Sequence, residues 1–506
     1  MEIATKEFLE ELEALKINRI NEIRNAKDEL SVGGKTYFVS AEGCDNNDGL
    51  SPESAWKSLE KVSTSDLKAG DGVFFRRGDL FRGTVYAKEG VSYGAFGEGE
   101  KPKFYAWSED LALPELWEQS DKTNNIWKYK KGISDVGSLV FNGGEKHSLK
   151  HIPSYIGGKF VCREDESRPF IMADEMKGNL DIYWHFEKTL TTKNYAEENL
   201  EPVPEVENIT DGELYLRCDE GNPGEIFDSI EAIARACAFR IRDKKNITID
   251  NICMKYYGVH AVAAGGPLVE GLKVTNCEMG WIGGTIQNYY GLDPNYPEGG
   301  RGTVTRFGNG VEIYGGCRDY EVSNCYIYEI YDAGVTHQVT TNGNKYIMEN
   351  IRYKDNLIDK NVYSIEYFLD MNNGDAESYM KGIEISGNML INSGFGWGQQ
   401  RHNKHTPAHI KGWSYVNRAS DFKIHDNIFA FAGFRMLHLV ALNKESLPEK
   451  WGNTYVQTEG GMLGQYGENC EKEPEIEIFD ASAEEKIKKI FKDSGAKVYI
   501  VKKIKE

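Results

Sequence analysis

The chain has 506 residues, enough for a large core and one to three domains. It holds 53 Gly but only 14 Pro, with 12 % aromatics, a balance that fits a turn-rich all-β carbohydrate-active protein. Its net charge of −19 disfavours nucleic acid and anionic membranes, and weighs against strongly anionic polysaccharides unless a local basic patch overrides the average.

Residues 1–35 carry Phe8, Leu9, Leu12, Leu15, Ile20 and Ile23 at helical spacing, which predicts an amphipathic helix. It is expected to cap the open end of a β-solenoid, where unpaired strand edges would aggregate, or else to form a dimer face. The segment has no apolar signal core, and no stretch of about 18 apolar residues occurs, so a cytoplasmic protein with no membrane span is expected. The nine cysteines form no disulfide framework and no CxxC pair. Cys277 and Cys325 are expected to serve as small hydrophobes in the core.

Residues 36–106 read as the first coils of the solenoid. The acidic CDNNDG resembles a calcium loop but lacks the EF-hand spacing and closing Glu, so it reads as a turn. Residues 107–230 break the coil pattern with charged and aromatic segments such as IWKYKKG and LDIYWHFEKT, which predicts an inserted β-rich domain. Coils resume at 231 and run to 465 as the main body. Residues 466–506 form a charged helix and one strand, expected to seal the far side.

Six segments of the main body share one pattern: alternating apolar residues, an Asn, an apolar residue, then a Gly-rich or aromatic strand. The asparagines are Asn251, Asn276, Asn324, Asn356, Asn388 and Asn427, followed by Ile252, Cys277, Cys325, Leu357, Met389 and Ile428. A period of about 25 to 40 residues in a β-rich chain marks a solenoid. The fold expected is all-β, a right-handed parallel β-helix. The apolar residues should form its inner column, and each Asn should occupy an αL corner with its amide bonded to the next coil.

The strands after the expanded coil at 276–316 align a set of outward residues. With Val311, Val335 and Ile365 inward, Glu312, Thr336 and Glu366 point outward on one face. Glu312 and Glu366 then stand roughly 10 Å apart at the backbone, two coils of about 4.8 Å each. Asp332 precedes the middle strand and Asp370 follows Glu366, so four carboxylates gather on one patch. Paired carboxylates across an acetal are what glycoside hydrolysis needs: one protonates the leaving oxygen, the other attacks or activates water. Asp332 and Glu366 are the expected catalytic pair, Asp332 as base or nucleophile and Glu366 as acid, with Glu312 and Asp370 in reserve. Tyr367 and Trp397 are expected to stack sugars, Gln338, Gln399 and Arg401 to bond sugar hydroxyls, and Trp281, His337 and His409 to be further substrate contacts. Retention and inversion both stay open. No cofactor or metal is called for, and the partner expected is an oligosaccharide.

Each residue also has a plainer reading. An outward carboxylate on a solenoid is commonly a solvated face, and His337 is as readily a packed histidine. The segment QQRHNKHTPAHIKGW offers His402, His405 and His409 as metal ligands, but without a strong ligand spacing. Two further functions fit the scaffold. A polysaccharide lyase or uronate epimerase would use Arg401, Lys404 and His405 with Ca²⁺ held by acidic residues. A non-catalytic glycan-binding solenoid would use the shape alone.

The opening YFVSAEGCDNNDGLSPESAWKSLEKV, the segment DVGSLVFNGGE with DGELYLRCDEGNP, and the core GNGVEIYGGC with YDAGVTHQ together resemble glycoside hydrolase family 141, a pectin-lyase-like β-helix group. The resemblance spans most of residues 36–410. It implies a glycosidase acting on plant cell-wall glycans, with fucosidase and xylanase activities represented. It also implies acidic catalytic residues, carried over to Asp332 and then to Glu366 or Asp370. The insertion, the loop 288–307 and the segment 400–413 are expected to close the groove and favour exo action on short oligosaccharides.

Overall fold

The structure is a computed structural model that describes residues 2–191, 202–289, 302–371, 377–401, 406–413, 418–468, 476–477 and 483–502. Among these, eleven short strands form one all-parallel sheet. It runs from Leu80–Arg82 through Cys253–Lys255, Tyr326–Ile330, Leu357–Asp359, Met389–Ile391 and Ile428–Ala430 to Lys497–Val501, and ends on Glu2–Ile3. Longer strands such as His260–Glu270, Asn309–Ser323 and Ala333–Thr340 stack in parallel on the other faces. This is a right-handed parallel β-helix. Its core is one continuous cluster in which Ile249, Val274, Val322, Tyr353, Ile385 and Ile424 lie in register down successive coils.

The corners depart from the expected pattern in half of the coils. Asn251, Asn276 and Asn324 do adopt positive φ, at 59°, 52° and 50°. In the next coils the αL residue is Asp355, Gly387 and Asp426 instead, each one place before the asparagine. Asn356, Asn388 and Asn427 therefore turn inward, where they are buried. Their side chains form an amide ladder. Asn356 Nδ2 donates to Asn388 Oδ1 at 3.0 Å, Asn388 to Asn427 at 2.9 Å, Asn427 to Asn453 at 3.0 Å, and Asn453 to Asp493 at 2.8 Å. The Asn356 Oδ1 also accepts from the Cys325 backbone, which marks Cys325 as the same column position. A slip of one residue sends neighbours to the opposite face. Leu357, Met389 and Ile428 accordingly face outward rather than into the column, while Ile252, Cys277 and Cys325 do lie in the core.

That outward apolar face explains the position of the N-terminal helix, Lys6–Arg24. Its Leu12 and Ile23 pack on Tyr326, Leu357, Met389, Ile391, Ala430 and Val456. The helix lies lengthwise on the flank and crosses the coils rather than sitting over the solenoid's end. Phe8 stacks on Tyr499 of the last strand, Lys16 pairs with Asp359 at 2.8 Å, and Arg24 pairs with Glu278 at 2.8 Å. Arg24, Glu278 and Lys255 form a charge cluster that holds Glu278 well below the usual carboxylate range despite its burial, at about 2. Ala483, Ile487 and Phe491 enter the core at the far end beside Tyr466. No helix among the described residues is long and apolar enough to cross a membrane.

The segment after residue 107 builds its own core around Trp117, Tyr129, Leu139, Ile182, Trp184 and Leu216. Its main sheet joins Trp117–Asp121, Ile126–Tyr129, Leu149–His151, Asp181–His185 and Glu213–Arg217. Its last strand, Ile230–Ala234, still pairs with Val136–Phe141, so the solenoid resumes at Cys237–Arg242, a few residues later than expected. Ile286 and Tyr289 belong to this second core. The inserted unit thus holds the hairpin of Ile286–Tyr289 and Val304–Arg306 against the solenoid.

Candidate active site

One row of residues runs down the outward face of the long strands in strict register. Arg240 lies beside Ala263, Ala263 beside Glu312, and Thr336 beside Glu366. Glu366 then lies beside Lys411, Lys411 beside His438, and His438 beside Gln465. The pairing of Val311 with Val335 sets Glu312 against Thr336 and completes the row. The inward partners Val311, Val335 and Ile365 are fully buried. Alternation along each strand therefore sends the polar row to one face.

Glu312, Asp332 and Glu366 line a single cavity of about 220 Å³, together with Gln338, Arg401 and Trp413. Glu312 is clamped by donors. Gln338 Nε2 reaches both of its oxygens at 3.2 and 3.3 Å, the Thr336 hydroxyl donates at 3.2 Å, and the Asn309 amide donates to Oε2. Glu366 accepts from Trp413 Nε1 at 2.8 Å. Asp332 forms a buried ion pair with Arg401. Burial opposes the Arg401 charge, but Asp332, Tyr331 and Glu366 outweigh it, and its pKa lies above the ordinary value. The Arg306 and Arg401 guanidinium groups lie 4.2 Å and 5.9 Å from the centre of the Tyr331 ring, so two cations stand beside the turn that carries Asp332. Gly308 lets the hairpin backbone lie against that turn: a Cβ there would come within 2.8 Å of Tyr331 Cβ.

Residues distant in sequence complete the wall. Arg306 donates from Nε to the Gly284 carbonyl at 2.6 Å and from Nη2 to the Gly137 carbonyl of the inserted unit at 3.0 Å. The His260 Nδ1 accepts from the Asn309 backbone N–H at 3.1 Å, which puts its proton on Nε2. Burial pulls the His260 pKa below the ordinary histidine value, although Glu312 and Asp332 act against this. On the next coils, Lys411 sits 4.2 Å over the Trp413 ring, and His438 Nδ1 donates to the Gly412 carbonyl at 2.7 Å.

Several residues expected to contact sugar lie elsewhere. His337 and Tyr367 alternate with Thr336 and Glu366, so they point inward. They stack on each other with centroids 5.6 Å apart, and His337 Nδ1 meets the Tyr353 hydroxyl at 2.9 Å. His409 is also interior, bonded to Ser393 Oγ at 2.7 Å and stacked near Phe429. Trp281 and Trp397 pack together with Val140, Ile233, Tyr256 and Tyr331, wedging the inserted unit onto the solenoid. Trp281 sits at φ 58°, in a second αL corner shared with Tyr256, Glu329 and Lys360, so its backbone is structural. Gln399 bonds the Gly394 carbonyl and does not line the cavity. Asp370 stands at the end of its strand, beside Thr340, also outside the cavity lining. Asp332, Glu366, Glu312, Gln338 and Arg401 are brought together. His402, Lys404 and His405 lie outside the described residues, as does most of the loop 288–307. His260, Arg306, Asn309 and Trp413 were not expected. For Trp413 a signal existed, since it follows the outward Lys411 by two residues.

No family model and no curated relative matches the chain. Among solved structures it is similar to one described as a glycoside hydrolase, at 10 % identity and a TM-score of 0.42, covering 93 % of this chain and 96 % of that one. It is also similar to a GH136 lacto-N-biosidase from Eubacterium ramulus, at 12 % identity and a TM-score of 0.32, covering 98 % and 70 %. A third is a polygalacturonase from Erwinia carotovora ssp. carotovora, at 10 % identity and a TM-score of 0.33, covering 95 % and 98 %. These neighbours are carbohydrate-active enzymes.

Proposed function

We propose that the chain is a glycoside hydrolase whose carboxylate pair is Asp332 and Glu366. The observation that carries this reading is the convergence of Glu312, Asp332 and Glu366 on one small cavity on the outward face of the solenoid. Hydrolysis of an acetal needs a proton donor on one side and a carboxylate on the other. Arg401 favours the ionised form of Asp332, which suits a base or nucleophile. Trp413 donates to Oε1 of Glu366 and so orients the carboxyl group for the acid role. Glu312, held by three donors, is fixed as an acceptor for a sugar hydroxyl. The cavity, at about 220 Å³, is smaller than the ~300–1,000 Å³ of typical drug-sized sites, which suits one terminal sugar ring. The resemblance to family 141 supports xylo- or fuco-configured oligosaccharides from plant cell walls as substrates. A screen of aryl glycosides and plant oligosaccharides tests the reading: sugar release lost in Asp332→Asn and Glu366→Gln supports it, and binding without turnover on every glycan opposes it.

A further inference from the structure

The small cavity adjoins a larger trough of about 1,120 Å³, with His260, Gln287, Phe307, Glu312 and Tyr314 lining both. The trough's character is opposite to that of the chain. Against a net charge of −19, its walls carry Lys88, Arg240, Arg242 and Lys244. The one carboxylate lining it is Glu312, at the junction with the cavity. Among the described residues Lys88, Arg240 and Lys244 enter no ion pair, and Arg242 has only a long contact of 3.8 Å with Asp243. Such cations normally lie near a counter-charge or spread over a solvated face. Here they converge on the extension of the catalytic row.

Arg240 belongs to that row, two coils from Glu312, with Ala263 between them. The Ala263 methyl leaves the space between guanidinium and carboxylate unfilled. At about 4.8 Å per coil, the cation stands roughly 10 Å along the groove from Glu312. Beyond it in the same register comes Tyr86, and Tyr314 flanks the near side. Both rings are exposed, at 57 % and 45 %, which suits stacking on a sugar face.

We propose that the trough is a subsite for an anionic sugar, one bearing a carboxylate or a sulfate ester, adjacent to the residue held in the small cavity. This deepens the hydrolase reading and rests on it for the direction of the groove. Planar guanidinium groups recognise carboxylate and sulfate oxygens in the same bidentate way, so the two sources share one chemistry.

Calorimetric titration with digalacturonic acid, its bis-methyl ester and galactobiose carrying one sulfate ester tests the proposal without needing turnover. The acid or the sulfate ester should bind about tenfold or more tighter than the neutral ester, with affinity falling as salt rises. Whichever anion binds tighter identifies the source. Arg240→Gln and Lys244→Gln should each remove most of that preference while leaving the unfolding midpoint unchanged, because neither holds an ion pair among the described residues. Equal binding of charged and neutral ligands, or a preference untouched by both variants, overturns the subsite. Selective anion binding by a protein that hydrolyses no glycan would leave the subsite standing and remove the hydrolase reading.

Discussion

The guanidinium of Arg401 is paired with the carboxylate of Asp332 at the cavity wall, and both side chains are about nine-tenths or more withdrawn from solvent. Neither charge is tolerable alone at that depth. Arg401→Gln should therefore cost roughly 3–5 kcal/mol of stability, the usual consequence of breaking a buried ion pair from one side. Urea unfolding measures this; a loss under about 1 kcal/mol would mean that water or another group already compensates Asp332.

The amide ladder makes a second expectation. Asn388 accepts from the backbone and side chain of Asn356 and donates to the carbonyls of Tyr353 and Ser386. Asn388→Ala strands several buried polar groups at once. The expected loss is about 2–4 kcal/mol, from unsatisfied donors and acceptors. An unchanged urea midpoint would contradict the inward placement of this asparagine.

The helix on the flank covers an apolar strip that would otherwise face water. Ile23, fully buried there, should cost about 2–5 kcal/mol when cut to Ala. The site lies on another face, so the variant should keep its turnover per folded molecule. Light scattering should show growing self-association, because the uncovered strip is a ready interface. A monodisperse variant of native stability would oppose the assigned packing.

Burial of histidines should make the fold sensitive to acid. Burial pushes the pKa values of His337, His409 and His438 down to about 3. In the unfolded chain they protonate as pH falls through about 6.5. Between these values the unfolded state binds more protons, so stability is full above about pH 6.5 and is lost as pH falls toward 3, at up to about 1.4 kcal/mol per unit for each group. Unfolding midpoints at about pH 7.5, 6 and 5 should fall in that order. His337→Phe should flatten the slope by one group's share; an identical slope in that variant would place His337 in solvent.

Much of the architecture is legible in the chain, and where structure and expectation differ the cause is physical. Alternation around Val311, Val335 and Ile365 identified Glu312 and Glu366 as outward, and the structure puts both in the cavity. The same alternation sends His337 and Tyr367 inward, so their expected sugar contacts conflicted with the pattern that found the carboxylates. The asparagine repeat looked uniform because Asn occupies both the αL corner and the inward position after it. Only the backbone tells Asn324 at φ 50° from Asn356, which comes after Asp355 at φ 56°. Trp397 reads as a sugar platform because an aromatic beside carboxylates suggests stacking, and Trp281 reads as a further substrate contact. They serve instead to join two cores, a role set by long-range packing with no local signature. Arg306 and His260 reach the cavity through the hairpin and a neighbouring coil, contacts that no spacing encodes.

The hydrolase reading stands on Asp332 and Glu366 acting together on a glycosidic bond. Its decisive test is steady-state sugar release by the intact chain and by Asp332→Asn and Glu366→Gln, on one glycan that the wild type cleaves, with folding checked by circular dichroism. Each variant should lose about 10²–10⁴-fold in kcat per folded molecule, Asp332→Asn on a less stable fold because it breaks the buried pair with Arg401. Near-normal turnover in both folded variants would contradict the assignment.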